Sequence, residues 1–335
     1  MKTVAFFNNK GGVGKTSLVY HIAWMLSELG ISTVAADLDP QANLTSVFLL
    51  PEAIEELWDN QSANTVHGAM RPLIEGVGDL RIPKPAKITS RLHLISGDLA
   101  LSEIEDELSA QWPRCLQREA RAFRVISGFN RIVRGVGREL RAEIGLIDVG
   151  PNLGAINRSA LVAADYVIIP LSADLFAIRG LQNVGPKLRT WRDDWQERVA
   201  KVPKGLGFDL PTGQMKPIGY VVSRFSVFAR GPVKAYQRWL DRAPETYRTA
   251  VENAELPAGV DIDSDDRRLA RMKDYRSLMP MAQESRKPMF LLKPADGAIG
   301  GHQAAVKECY QDFRRLTETI LQKIGDVEWR SRASR

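Results

Sequence analysis

The residues best suited to chemistry lie near the start of the chain. Asn8-Asn9-Lys10-Gly11-Gly12-Val13-Gly14-Lys15-Thr16-Ser17 follows the apolar run Val4-Ala5-Phe6-Phe7 and precedes a segment of helical period. Three glycines within four positions let the backbone turn so that successive N–H groups point inward at an anion. The N-terminus of the following helix adds its partial positive charge. In such a phosphate loop, Lys15 neutralises the β- and γ-phosphates and the Thr16 hydroxyl is placed to hold Mg²⁺. The usual pattern GxxxxGK[ST] fails by one residue, because Asn9 stands where its first glycine belongs. A second lysine, Lys10, directly precedes the glycine pair. A glycine-rich turn without a ligand is the simpler alternative, and the strand before the loop and helix after it argue against that.

Carboxylates supply the second half of a nucleotide site. The apolar segment Ile31 to Ala36 reads as a strand that delivers Asp37-Leu38-Asp39-Pro40-Gln41-Ala42-Asn43 to its C-terminal end, where ligands of open parallel sheets bind. Asp37 and Asp39, two residues apart on an extended segment, point the same way; a solvated Asp-Pro turn is the alternative. Ile144-Gly145-Leu146-Ile147-Asp148 is an apolar strand that ends in a carboxylate. That is the position of an aspartate holding Mg²⁺ through its water shell.

These stretches resemble one family. KGGVGKTS resembles the deviant Walker A motif of the ParA/MinD ATPases, and DLDPQAN resembles their second motif. Asp148 to Gly154, then Ala160 to Asp165 and Val167 to Pro170, are similar to their switch region and next strand. The resemblance implies a doubly wound α/β fold, a mostly parallel P-loop NTPase sheet with helices on both faces. It implies ATP and Mg²⁺ as cofactors, with the nucleotide on Lys10, Gly11, Gly12, Val13, Gly14, Lys15, Thr16 and Ser17. It further implies that Lys10, Lys15 and Asp39 are catalytic: Asp39 orients the attacking water, and Lys10 reaches across a dimer interface to the partner's nucleotide. Thr16, Asp37 and Asp148 surround the metal. Two departures stand out. Gly150 replaces the first of two prolines usual in the switch loop and loosens it, and Ser223-Arg224-Phe225 stands where many relatives carry an adenine-contacting asparagine. Late in the chain, SLMPMAQESRKPMF followed by KPADGAIG is similar to the family's nucleotide-side loop and last strand.

The rest of the chain must position these groups. Its 335 residues, 44% hydrophobic and 26% charged, suffice for a large α/β domain. We expect one domain over 1–325, with insertions near 59–90, 201–216 and 226–265, and a basic tail over 326–335. Helical periodicity marks 16–29, 97–110, 175–200, about 232–253 and 303–324. Cys115 and Cys309 form no CxxC pair and the four histidines show no ligand spacing, so neither a disulfide framework nor a zinc site is expected. No signal-peptide core or membrane span appears, which points to the cytoplasm. No helix-turn-helix is expected before the first strand.

A net charge of +6 suits an anionic partner without requiring one. Two basic stretches compete for that role. Eight arginines between Arg114 and Arg141 include Arg131, Arg134, Arg138 and Arg141 on one helix face. They read as a solvated face or one paired with the acidic cluster Glu103 to Glu107, with a phosphate-tracking stripe as the alternative. Arg267, Arg268, Arg271, Lys273 and Arg276 lie where relatives place DNA-contacting residues, although Asp261, Asp263, Asp265 and Asp266 just upstream could neutralise them. The resulting expectation is a ParA-like ATPase that forms a homodimer on ATP, binds DNA non-specifically at the nucleoid, and hydrolyses ATP slowly under a separate stimulating partner protein, as in DNA partition. The alternatives are an ATPase of a defence or regulatory complex and a MinD-like membrane-cycling ATPase. The last would need a terminal amphipathic segment, and the tail offers only Val327 and Trp329. A metabolic P-loop enzyme is a further alternative, without cysteine ligands or a substrate-site constellation to support it.

Overall fold

Short, uninterrupted apolar runs become strands buried on both faces, as expected for a parallel sheet covered by helices. A computed structural model describes residues 1–59, 63–172, 174–225, 234–275 and 277–325. Its strands are β1 (Lys2–Phe6), β2 (Thr33–Asp37), β3 (Ala86–Lys87), β4 (Leu92–Ile95), β5 (Ile144–Asp148), β6 (Tyr166–Ser172), β7 (Lys216–Phe225) and β8 (Arg268–Lys273). They form one eight-stranded sheet in the order β3-β4-β2-β5-β1-β6-β7-β8. Every pairing is parallel except β3 with β4.

The strand period divides the core. Ala5 and Phe7 point into one layer, and Val4 and Phe6 into the other. The helices that position the site are α1 (Lys15–Glu28), α2 (Asn43–Phe48), α3 (Glu105–Arg114), α4 (Gly128–Glu139), α5 (Ala155–Val162), α6 (Leu175–Val199), α7 (Met279–Ser285) and α8 (Gly301–Lys323). The first layer holds Leu108, Ile132, Val133, Leu161 and Trp195 of α3 to α6. The second holds Leu18, Ile22 and Leu26 of α1 with Phe313, Leu316 and Ile320 of α8. Trp191 and Trp195 are both buried as core; burying such a side chain contributes roughly 1.5–3 kcal/mol relative to leaving it exposed.

Several local expectations change. The segment expected as one helix over 232–253 breaks into Lys234–Leu240, Ala243–Thr246 and a π-helical stretch, Tyr247–Glu252. Residues 226–233, inside that expected insertion, lie outside the described residues, as do Arg276 and the tail 326–335. The last strand is not KPADGAIG, which forms a 3₁₀ turn at Pro294–Asp296. Pro294 cannot donate to a ladder, and the basic segment Arg268–Lys273 takes the edge instead, with Leu269 and Met272 buried between its charged side chains. The 59–90 stretch contributes a helix, Val66–Ile74, and the antiparallel edge strand β3.

Candidate functional site

Strand β1 leads into the glycine loop and α1 leaves it. Gly12 and Gly14 take φ of 74° and 89°, a backbone region open to glycine and strained for other residues. Lys15, the first residue of α1, is folded back into the loop: its Nζ donates to the Asn8 carbonyl at 3.1 Å and the Lys10 carbonyl at 3.3 Å. Burial lowers its pKa, and the charges of Asp148 and Asp39 oppose that shift. A buried ammonium held only by carbonyls is poised to exchange them for phosphate oxygens.

Asp148 ends β5 opposite Asp37 at the end of β2. It is fully buried, and neither carboxylate oxygen has a hydrogen-bond partner among the described residues. Its pKa is raised by burial and by the Asp37 charge, while the Thr16 hydroxyl, approaching without closing a bond of normal geometry, lowers it. An orphaned buried carboxylate beside a hydroxyl is a hard-oxygen donor set that fits Mg²⁺.

Asp37 is engaged differently. Its Oδ2 accepts from both the Thr45 amide and the Thr45 hydroxyl at 2.7 Å, and its Oδ1 from the Asp39 amide at 3.3 Å. Burial pushes its pKa up to about 6 despite these bonds. Thr45 in turn accepts from the Gly97 amide at 2.7 Å, so one network ties β2, α2 and the loop after β4. Thr45 escaped the sequence reading because a lone threonine in a short helix carries no motif. Asp39 is nearly buried and accepts from the Gln41 amide at 3.0 Å. A Cβ at Gly150 would come within 3.1 Å of Asp39 Oδ1, so the unusual switch glycine lets this carboxylate approach the loop.

Lys10 stays within its own chain here. Its Nζ donates to Asp174 Oδ2 at 2.5 Å and Ser172 Oγ at 3.0 Å. Asp174 also caps α6 through the Ala177 amide at 2.9 Å. Burial raises the Asp174 pKa, but the bonds from Lys10 and Ser172 outweigh it and the net shift is downward. Ser172 and Asp174 also went unnoticed in the sequence, where nothing marks them apart from an ordinary helix cap.

The loop borders a cavity of about 480 Å³ that also touches Asp39, Tyr20, Val47, Gln283 and Lys287. The late family-like stretch thus forms its far wall through α7. Ser223 lies against Gly14, its hydroxyl buried without a partner among the described residues. Glu105 holds the helix behind the switch loop, accepting from the Ala155 and Ile156 amides at 2.5 and 2.9 Å.

The basic residues proposed for DNA lie apart from this site and are paired. Arg267 meets Glu252 and Asp266 at 2.5 Å each, and Arg271 meets Asp263 at 3.0 Å. Arg268 donates to the Asp263 carbonyl at 2.7 Å, and Lys273 pairs with Glu308. Arg276 lies outside the described residues. In the other stripe, among the described residues, the expected acidic partners meet only Arg121, which pairs with Glu107. Arg131 pairs instead with Asp79, and Arg134 with Asp165.

A parallel sheet with a phosphate loop after its first strand and an orphaned carboxylate at the end of a neighbouring strand defines a P-loop nucleotide-binding protein. Residues 1–201 match the family model AAA_31, described as an AAA domain; the chain belongs to this family and is a P-loop ATPase of the ParA/MinD type. It is 29% identical over 241 residues to a putative replication protein A of Rhizobium rhizogenes, covering 67% of this chain and 55% of that one. It is 28% identical over 183 residues to the sporulation initiation inhibitor protein Soj of Bacillus subtilis, covering 55% and 63%. The chain thus spans little more than half the length of these curated relatives. Among solved structures, a Corynebacterium diphtheriae protein superposes with a TM-score of 0.69 at 22% identity, over 97% of this chain and 99% of that one. A putative plasmid partition protein of Borrelia burgdorferi bound to AMPPNP gives 0.57 at 20%, over 96% and 99%. Cobyrinic acid a,c-diamide synthase of Mycobacterium smegmatis with ADP and magnesium gives 0.50 at 25%, over 72% and 80%. Among the described residues, no helix is long and apolar enough to cross a membrane.

Proposed function

We propose that this chain binds ATP with Mg²⁺ in the loop cavity, dimerises on it and hydrolyses it slowly, in a partition or related positioning cycle. The observation that carries the reading is the convergence of a carbonyl-bound Lys15, Thr16 and the unpartnered Asp148 beside one phosphate-sized loop. The AMPPNP and ADP–magnesium complexes of the similar structures support the ligand class. Loop amides and Lys15 hold the β- and γ-phosphates, and Thr16 and Asp148 hold the metal side. Magnesium held there would supply positive charge to the phosphate oxygens. Asp39 accepts a hydrogen bond from the attacking water and aligns it, and Asp37, bonded to Thr45, fixes the strand end that presents Asp148.

Lys10 completes the site from the partner subunit once it leaves Asp174. The two-subunit form then contacts DNA non-specifically through phosphates, and a separate protein stimulates turnover. The Soj and plasmid-partition likenesses support this use. The test is nucleotide binding, turnover and sedimentation of three variants. Lys15→Ala should lose ATP binding. Asp39→Ala should keep ATP, lose turnover and accumulate as a dimer, and Lys10→Ala should bind ATP as a monomer. Wild-type turnover in Asp39→Ala would remove the water-aligning role, and in Lys10→Ala the role across the interface.

A further inference from the structure

Two features that nucleotide hydrolysis leaves unused, the arginine face of α4 and the loop over 201–215, enclose one cleft. The cleft has a volume of about 1090 Å³ and lies by Met1 and Ala142, just before β1 and β5, at the end of the sheet opposite the phosphate loop. One wall is α4. Three of its glycines sit where a Cβ would collide with Met70, Ile82 and Met1, so that side is packed tight. Arg131, Arg134 and Arg138 line the cleft, joined by Arg141 just past the helix end.

The facing wall is fixed in place. Trp195 Nε1 donates to the Pro211 carbonyl at 2.9 Å and Gln196 to the Thr212 carbonyl at 2.7 Å, pinning the loop to α6. Phe208 lies 4.3 Å from the Arg131 guanidinium. Arg131 and Arg134 are each held by a two-bond carboxylate contact, to Asp79 and Asp165. Arg138 and Arg141 are exposed, and among the described residues their side chains have no ion-pair or hydrogen-bond partner. A solvated arginine face alone would need no pinned wall opposite it.

We propose that this cleft is a second anion site, which takes a phosphorylated small molecule of nucleotide size with adjacent phosphates. Guanidinium groups bind phosphate with paired hydrogen bonds, and the fixed Arg131 and Arg134 frame the two free ones. The volume is of the order of known small-molecule pockets, roughly 300–1,000 Å³. Leu80, Ile82 and Leu210 supply an apolar side for the rest of the ligand. Asp209 also lines the cleft and repels an anion.

The experiment is calorimetric titration of inorganic pyrophosphate and GDP into the Lys15→Ala chain, in which the phosphate loop is disabled. Binding should persist there, weaken at least about tenfold when Arg138→Ala/Arg141→Ala is added, and tighten with Asp209→Asn, since the first change removes charge-assisted bonds to phosphate and the second a repelling carboxylate. ATP turnover of Arg138→Ala/Arg141→Ala with an intact loop should stay at the wild-type rate. No binding of either probe to the Lys15→Ala chain, or binding indifferent to both arginines, overturns the proposal. So does a result in which neither probe binds but the double variant loses duplex DNA affinity and about two units of salt slope, which would make the face a nucleic-acid track. The site is independent of the phosphate loop, so failure here leaves the ATPase reading standing, and the reverse.

Discussion

Charge is handled in opposite ways at the nucleotide site and along β8. At the nucleotide site, Asp148 and Lys15 are buried, the carboxylate without a partner and the ammonium held only by carbonyls. Along β8, Arg267, Arg268, Arg271 and Lys273 are partly exposed and each meets a carboxylate. Exposed pairs contribute about 0–1 kcal/mol each, whereas a buried, unanswered charge costs several kcal/mol and persists where a ligand answers it. The comparison therefore separates a site from a surface by whether charges are left open, and not by how many there are.

The largest expected effect follows from Asp148. Asp148→Asn keeps the shape and removes the carboxylate, so Mg²⁺-dependent turnover should fall by at least about 10²-fold. The same change should leave the nucleotide-free protein as stable or more so, by about 1–2 kcal/mol, because a buried carboxylate beside Asp37 is gone. Thermal melts of both forms without nucleotide, paired with turnover assays, check this. A variant that melts lower and still hydrolyses ATP would show Asp148 to be structural, and the comparison would break.

The placement of the candidate site was legible because a phosphate loop demands a backbone pattern, and Lys10 to Ser17 follow β1 while Asp37, Asp39 and Asp148 lie at or just past the ends of β2 and β5. What stayed hidden depends on contacts between distant segments. Thr45 on Asp37, Glu105 on the α5 N-terminus and Asp174 on Lys10 are joined by folding alone. The strand β8 was hidden for another reason: its charges and buried residues keep no two-residue period, and only pairing with β7 gives Arg268–Lys273 its conformation. The stretch 201–216 reads as a break because of its prolines and glycines, but the wall it builds over α4 carries no sequence signal.

An intermediate effect separates the two regions by pH. His21, on α1 at the nucleotide cavity, stacks on Phe313 at 4.7 Å. Its Nδ1 donates to the Ser17 carbonyl at 2.7 Å, and its Nε2 accepts from the Met289 amide at 3.2 Å, which fixes the neutral ring. Burial lowers its pKa to about 4. The folded state then holds fewer protons than the unfolded one between about pH 4 and 6.5, so stability from this group is present above 6.5 and lost as pH falls toward 4, by up to about 3 kcal/mol. Asp37, raised to about 6, acts with the opposite sign in an overlapping window. Denaturation of wild type and His21→Gln across pH 4–7 cancels the Asp37 contribution in the difference. That difference should grow in favour of wild type with rising pH; a flat difference would mean that His21 titrates normally.

The smallest effect is expected on β8, where DNA contact was one expectation from the sequence. Phosphate binding by Arg268 and Arg271 would require both to leave Asp263, which Arg268 approaches at 4.0 Å and Arg271 at 3.0 Å. The exchange trades one anion for another, so little net free energy is available from it. Arg268→Ala/Arg271→Ala should therefore change stability by less than about 1 kcal/mol. With saturating ATP it should leave the salt slope of duplex DNA binding within about one unit of wild type, where two lost phosphate contacts would lower it by about two. A salt titration of both proteins reads this directly. A drop of about two units would show that dimerisation or DNA frees these arginines from Asp263, and pairing in the free subunit would no longer distinguish surface from site.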